Sequence, residues 1–139
     1  MNYLNPALDR NSIGQVSILG VAYIGDGVYE LLVRTWLLEH THTAALDLHR
    51  LTVSLVNASA QADGFAAVSD RLTEEETAVF KRGRNAKGNQ IPHHATSAEY
   101  HTATGLEALF GWLYLSGRQE RVQELFSLIM EKAGYDDRQ

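Results

Sequence analysis

Residues 16–38 are apolar at most positions, and between positions 18 and 33 only Asp26 and Glu30 carry charge. Ile13, Val16, Ile18 and Leu19, followed by Val28, Leu31, Leu32, Trp36 and Leu38, recur at helical steps and predict a helix buried on most sides. Asn5-Pro6 reads as an extended arm, because proline disfavours helix at the residue before it, and Asn11 or Ser12 is the expected N-cap. Gly20, Gly25 and Gly27 interrupt the pattern, each costing about 1 kcal/mol against alanine inside a helix. Gly25-Asp26-Gly27 is therefore either a turn or the place where a second backbone approaches a continuous helix.

After the polar break at residues 40–43, Leu46, His49, Leu51, Val53, Leu55 and Val56 predict a second helix. It runs on through the alanine-rich stretch as far as Leu72, with Gly64 as the expected kink or division. Thr73 precedes three glutamates and a basic end, an order that suits the helix macrodipole, and Glu76 completes a capping box. Residues 83–94 hold Gly83, Asn85, Gly88, Asn89 and Pro92 and predict a loop or short broken helix. From Thr96 onward, Tyr100, Ala103, Leu106, Ala108, Leu109, Phe110, Leu113 and Tyr114 predict a helix apolar on most faces that ends near Ser116-Gly117. A last amphipathic helix over about 118–133 places Val122, Leu125, Phe126 and Ile129 on one side, before a frayed tail. No strand signal or repeat competes, so the fold class is all-α.

A length of 139 residues suits one domain, 1–139, with a core over about 12–132. Hydrophobic and charged fractions of 45% and 21% exclude a largely disordered chain. With no cysteine, disulfides and thiolate metal sites are excluded. The first residues lack the pattern of a signal peptide and no apolar run approaches membrane-spanning length, so a cytoplasmic location is expected. A net charge of -5 argues against non-specific nucleic-acid binding by the molecule as a whole and directs attention to local charge.

Three acids stand in apolar helices: Asp26, Glu30 and Glu107. They could cap, face solvent or pair with arginines such as Arg34 or Arg50; alternatively, carboxylates converging from separate helices build a site for a hard cation such as magnesium. A second signal is the basic stretch Lys81, Arg82, Arg84 and Lys87, joined by Asn85, with no acid between Phe80 and Ala98. It is either a solvated loop or a contact for an anionic polymer. His40, His42 and His49 match no zinc spacing and read as surface residues. Tyr23 and Tyr29 read as core, their hydroxyls hydrogen-bonded, and Tyr23 is a candidate to orient a carboxylate.

AYIGDGVYELLVR, around Asp26, resembles the signature helix of the ribonuclease III catalytic domain, and HTATGLEALFGWLYLSG, around Glu107, resembles its second signature helix. AYIGD, VNASAQA, the loop VFKRGRNAKGNQ and the chain length resemble the short Mini-ribonuclease III form, which lacks a double-stranded-RNA-binding domain. The resemblance implies an all-helical homodimeric endonuclease that cleaves double-stranded RNA with Mg²⁺, each subunit cutting one strand, and, for the short form, maturation of large-subunit ribosomal RNA. By position, Asp26 and Glu107 match the family's metal-binding acids. Full-length members carry a glutamate where this chain has Ala22, an aspartate where it has Thr104, and alanine where it has Gly27. Thr104, three residues before Glu107, is then expected to orient a metal-bound water, with Glu30 as an outer acid. The competing expectation is a non-catalytic helical module that holds RNA or a ribosomal protein; a helical pyrophosphohydrolase fits less well, because Glu30 lacks a partner at E-x-x-E spacing.

Overall fold

A computed structural model describes residues 1–41, 44–86 and 95–134. Among these the chain forms α1 (Arg10–Gly14), α2 (Ile18–His40), α3 (Ala45–Val56), α4 (Ala58–Val68), a 3-10 turn (Ser69–Arg71), α5 (Glu74–Arg84), α6 (Ser97–Leu115) and α7 (Gln119–Lys132). The all-α expectation is met.

α6 is the axis of the fold, packed against α2, α4, α5 and α7. Its residues Ala103 through Leu106 and Ala108 through Leu113 are buried, so it shows the core an apolar surface on most sides. One continuous core links it to Val21, Tyr29, Val33 and Leu37 of α2, Val79 of α5, and Val122, Leu125, Phe126 and Ile129 of α7. Tyr29 sits edge-on to Phe110 and Phe126, with ring centroids 5.2 and 5.9 Å apart.

Where α2 crosses α6, the backbones touch. A Cβ on Gly25 would overlap the carbonyl oxygen of Glu107, and one on Gly111 would overlap that of Val21. The close-approach reading of Gly25 is therefore right and the turn reading wrong, since α2 runs through unbroken. Gly27 differs: nothing lies within 4 Å of the Cβ it would carry, so it packs against nothing among the described residues.

Several boundaries depart from the pattern-based reading. The first predicted helix is two, because Asp9 caps α1 by accepting from the Ser12 N–H at 2.8 Å, and Ser17 caps α2 by accepting from the Gly20 N–H at 3.0 Å. Ile13 and Ile18 face the same core across the break, so apolar spacing hid it. The second predicted helix divides at Asn57, not Gly64. The Asn57 amide donates to the carbonyls of Val53 and Ser54 at 3.1 and 3.2 Å while its oxygen accepts from the Ala60 N–H at 2.8 Å, closing α3 and opening α4. Gly64 stays helical, beside Ile129. α5 carries on through Gly83 to Arg84, so the predicted loop starts later.

The capping boxes form as expected at Thr73/Glu76, and a second one forms at Thr96/Glu99. Glu76 has a further role that the pattern did not reveal. Its buried carboxylate accepts from Arg121 Nε at 2.9 Å and Nη2 at 2.8 Å, and Nη2 also donates to the Arg71 carbonyl, tying α5 and the 3-10 turn to α7. Burial raises the Glu76 pKa, but Arg121 and the Thr73 backbone together hold it below the usual range.

Candidate active site

The α2–α6 crossing builds the site. Asp26 follows Gly25, whose backbone lies against that of Glu107, so the two acids come from separate helices to one place. Asp26 is exposed and Glu107 is partly buried. The Glu107 pKa is pushed up to about 8, first by desolvation and then by the charge of Asp26, to which it is also hydrogen-bonded; a hydrogen bond from Gln61 opposes the rise. Two acids crowded together with no countercharge among the described residues form a site suited to a cation.

Gln61 of α4 is the third side chain here, and it was missed from sequence. It is 2% exposed, and its Nε2 donates to Glu107 Oε2 at 3.2 Å and to the Val56 carbonyl at 2.9 Å. The available signal was a lone amide in the alanine-rich stretch; its burial becomes evident only once α4 packs on α6. Thr104, one turn before Glu107, is buried and donates to the Tyr100 carbonyl at 3.1 Å, leaving its oxygen lone pairs available.

The other candidates take different places. Glu30, one turn after Asp26, pairs with Arg34 at 3.3 Å, both partly exposed. Tyr29 is core as expected, but Tyr23 is 78% exposed, which overturns its core reading: the α2 face that carries Tyr23 points away from α6. Ala22, where full-length members carry an acid, is buried. His49 is exposed, while His40 is half-buried with its ring stacked on Trp36 at 4.1 Å; His42 lies outside the described residues.

The basic end of α5 abuts the same turn of α6. A Cβ on Gly83 would come within 2.6 Å of the Ala108 Cβ and 3.1 Å of the Thr104 carbonyl oxygen, so the backbone between Arg82 and Arg84 sits against the helix that carries Glu107. Lys81, Arg82 and Asn85 are exposed. Arg84 lies 5.7 Å from the Phe80 ring centroid, and its Nε donates to Asn85 Oδ1 at 3.2 Å. Lys87 lies outside the described residues.

Among the described residues no three histidines, cysteines or acids group as a metal cluster; the oxygens that could serve a cation here are those of the two carboxylates, with the neutral oxygens of Gln61 and Thr104 on neighbouring turns. An all-oxygen set with few charges suits a hard divalent cation that keeps several of its waters.

The ribonuclease III domain model matches residues 19–118, which include both acid-bearing turns, Gln61 and the basic end of α5. The chain belongs to the ribonuclease III family. It is similar to the Mini-ribonuclease 3 of Symbiobacterium thermophilum, at 48% identity over 77% of this chain and 82% of that one. The Mini-ribonuclease 3 of Clostridium tetani is 37% identical, over 92% of this chain and 85% of its own length. An X-ray structure of a Fusobacterium nucleatum protein superposes with a TM-score of 0.79 at 29% identity, covering 88% of this chain and 98% of that one. As a member of this ribonuclease III family the protein is an endoribonuclease, and the non-catalytic reading falls away. No described helix of this ribonuclease III domain is long and apolar enough to cross a membrane.

Proposed function

We propose that the protein is a single-domain, Mg²⁺-dependent homodimer in the cytoplasm that cleaves double-stranded RNA, acting in maturation of large-subunit ribosomal RNA. The observation that carries this reading is the Asp26–Glu107 pair at the α2–α6 crossing. Both acids would hold the cation, with Thr104 and Glu30 as outer residues; Tyr23, on the α2 face turned away from α6, has no place in it. A bound divalent cation supplies Lewis acidity, lowering the pKa of water and offsetting charge on the scissile phosphate. The protein's own part is to aim Asp26 and Glu107 at one point and to hold the duplex. Lys81, Arg82, Arg84, Asn85 and Lys87 would bind its backbone, so recognition follows A-form shape and 2′-hydroxyls more than base sequence. A ribosomal protein is a further candidate partner.

The homodimer is supported by the open face of α2. Tyr23, Leu31 and Leu38 are 78%, 63% and 71% exposed, and Gly27 lies between the first two on the same stripe. Large apolar side chains repeated along one uncovered helix face are what a second helix covers, and a glycine among them permits close approach.

The test is cleavage of a long RNA duplex with Mg²⁺ by the wild type, Asp26→Asn and Glu107→Gln, alongside ribosomal RNA precursor. Each variant is expected to lose at least about 100-fold in rate while remaining folded. Near-wild-type cleavage by either one would remove that acid from the site.

A further inference from the structure

Gln61 presents an imbalance that the two acids do not explain. Both groups its amide touches are acceptors, the Val56 carbonyl and the Glu107 carboxylate, so the amide is oriented with its NH₂ toward them and both N–H bonds are used. Its Oε1 is left buried with no hydrogen-bond partner among the described residues. Leaving a buried acceptor unsatisfied is destabilising, a cost that an apolar residue of the same size would avoid. The orphan oxygen shares a carbon with the nitrogen that holds Glu107, so it belongs to the same amide group that contacts the carboxylate.

We propose that Gln61 is a positioning residue of the nuclease site, its amide N–H fixing Glu107 while its Oε1 accepts a hydrogen bond from a water that completes the shell of the divalent cation held by Asp26 and Glu107. This rests on the reading of that pair as the cation site. Magnesium bound by only two protein carboxylates retains several waters, and those waters need acceptors around them. Gln61 supplies a neutral one from α4, a helix that bears neither acid. The site gains an outer acceptor there without a third charge beside two crowded carboxylates.

Two substitutions move in opposite directions if this is so. Gln61→Met keeps the volume but removes both polar contacts. Gln61→Glu loses the donor to Glu107 but keeps an acceptor oxygen and adds negative charge next to the cation. The readout is Mn²⁺ binding to the RNA-free protein by electron paramagnetic resonance, together with the rise in melting temperature that Mg²⁺ produces over EDTA. Gln61→Met is expected to weaken Mn²⁺ binding about tenfold, in the range seen when a partner outside the direct ligands is lost, and to shrink the Mg²⁺-dependent rise. Gln61→Glu is expected to melt lower than wild type in EDTA and to show a larger Mg²⁺-dependent rise, with Mn²⁺ bound at least as tightly as by wild type.

Wild-type Mn²⁺ affinity in folded Gln61→Met, or weaker binding by Gln61→Glu, would overturn the assignment and leave Gln61 as packing. If Gln61→Met does not fold, Gln61→Glu decides alone. Asp26→Asn separates the two levels. If it loses Mn²⁺ while the Gln61 variants bind as wild type, only the role of Gln61 fails; if it binds Mn²⁺ as wild type, the cation site fails and Gln61 with it.

Discussion

Gly25 and Glu107 meet backbone to backbone: the carbonyl oxygen of Glu107 occupies the space that a side chain on Gly25 would need. The acids come together because the helices that carry them touch backbone to backbone where they cross. Gly25→Ala is expected to force α2 and α6 apart, destabilising the fold by about 3 kcal/mol or more and abolishing cleavage in whatever remains folded. Gly27→Ala meets nothing among the described residues and is expected to keep the monomer fold or strengthen α2 by up to about 1 kcal/mol. Urea unfolding of both variants checks this; equal effects would mean that the crossing is not set by Gly25.

Glu107 gives the cation-free protein an inverted response to pH. Its folded pKa lies above the ordinary carboxylate value, near 8, because burial and Asp26 both favour the protonated form. The folded state thus holds the proton more tightly than the unfolded chain. That contribution is complete below about pH 4.5 and is lost as pH rises toward 8. In EDTA, wild type is expected to lose on the order of a few kcal/mol of stability relative to Glu107→Gln between those limits. Mg²⁺ should remove the difference by replacing the proton. Parallel pH–stability curves for the two proteins in EDTA would show that Glu107 is not crowded.

Glu76 works in the opposite sense. Its folded pKa is depressed, so its contribution is present above the ordinary carboxylate range and is lost as pH falls through the folded value. Arg121→Met removes both guanidinium bonds to Glu76, and those to the Arg71 carbonyl and Glu124 with them, and strands the buried acid, with an expected loss of about 3–5 kcal/mol at neutral pH. Adding Glu76→Gln should recover part of that loss, and a double-mutant cycle measures the coupling. Full additivity would mean that the pair contributes nothing.

Sequence pattern carried the helix class, the capped helix at Thr73 and the start of the next helix near Thr96, and it singled out Asp26 and Glu107 as isolated acids, since each rests on local spacing or on an isolated charge in an apolar run. Breaks inside apolar runs were not legible in it: Ser17 and Asn57 act through their own side-chain hydrogen bonds, whereas periodicity reports only which face is buried. Gln61 and the Glu76–Arg121 pair were hidden for a related reason. Their partners lie more than forty residues away in the chain, so nothing nearby marks them as buried. Tyr23 shows the limit from the other side: a ring in an apolar helix reads as core whether the surface it meets belongs to its own chain or to none.

Arg82 and Arg84 flank Gly83 yet differ in attachment. Arg84 lies over the Phe80 ring and holds Asn85, so its loss also disturbs packing, whereas Arg82 is exposed. Arg82→Ala is therefore the cleaner probe of duplex binding. Affinity for duplexes of unrelated sequence is expected to fall by a similar factor, and the slope of log affinity against log salt to flatten by about one. Fluorescence anisotropy across a salt series measures this, and an unchanged slope would place the backbone contacts elsewhere.

The α2 stripe yields the prediction that bears on assembly. Leu31 is 63% exposed on the side of α2 away from α6, so Leu31→Asp removes little from the monomer core. If that face is the homodimer contact, a buried unpaired carboxylate from each subunit would meet it, and the protein should become monomeric at micromolar concentration with its helical content unchanged. Gly27→Ala, harmless to the monomer, should weaken the dimer as well, because its methyl projects into the approach between the two stripes. Light scattering coupled to gel filtration reads the mass, and circular dichroism the fold. A Leu31→Asp protein that stays dimeric would move the interface off α2 and leave Tyr23 and Leu38 without the partner proposed for them.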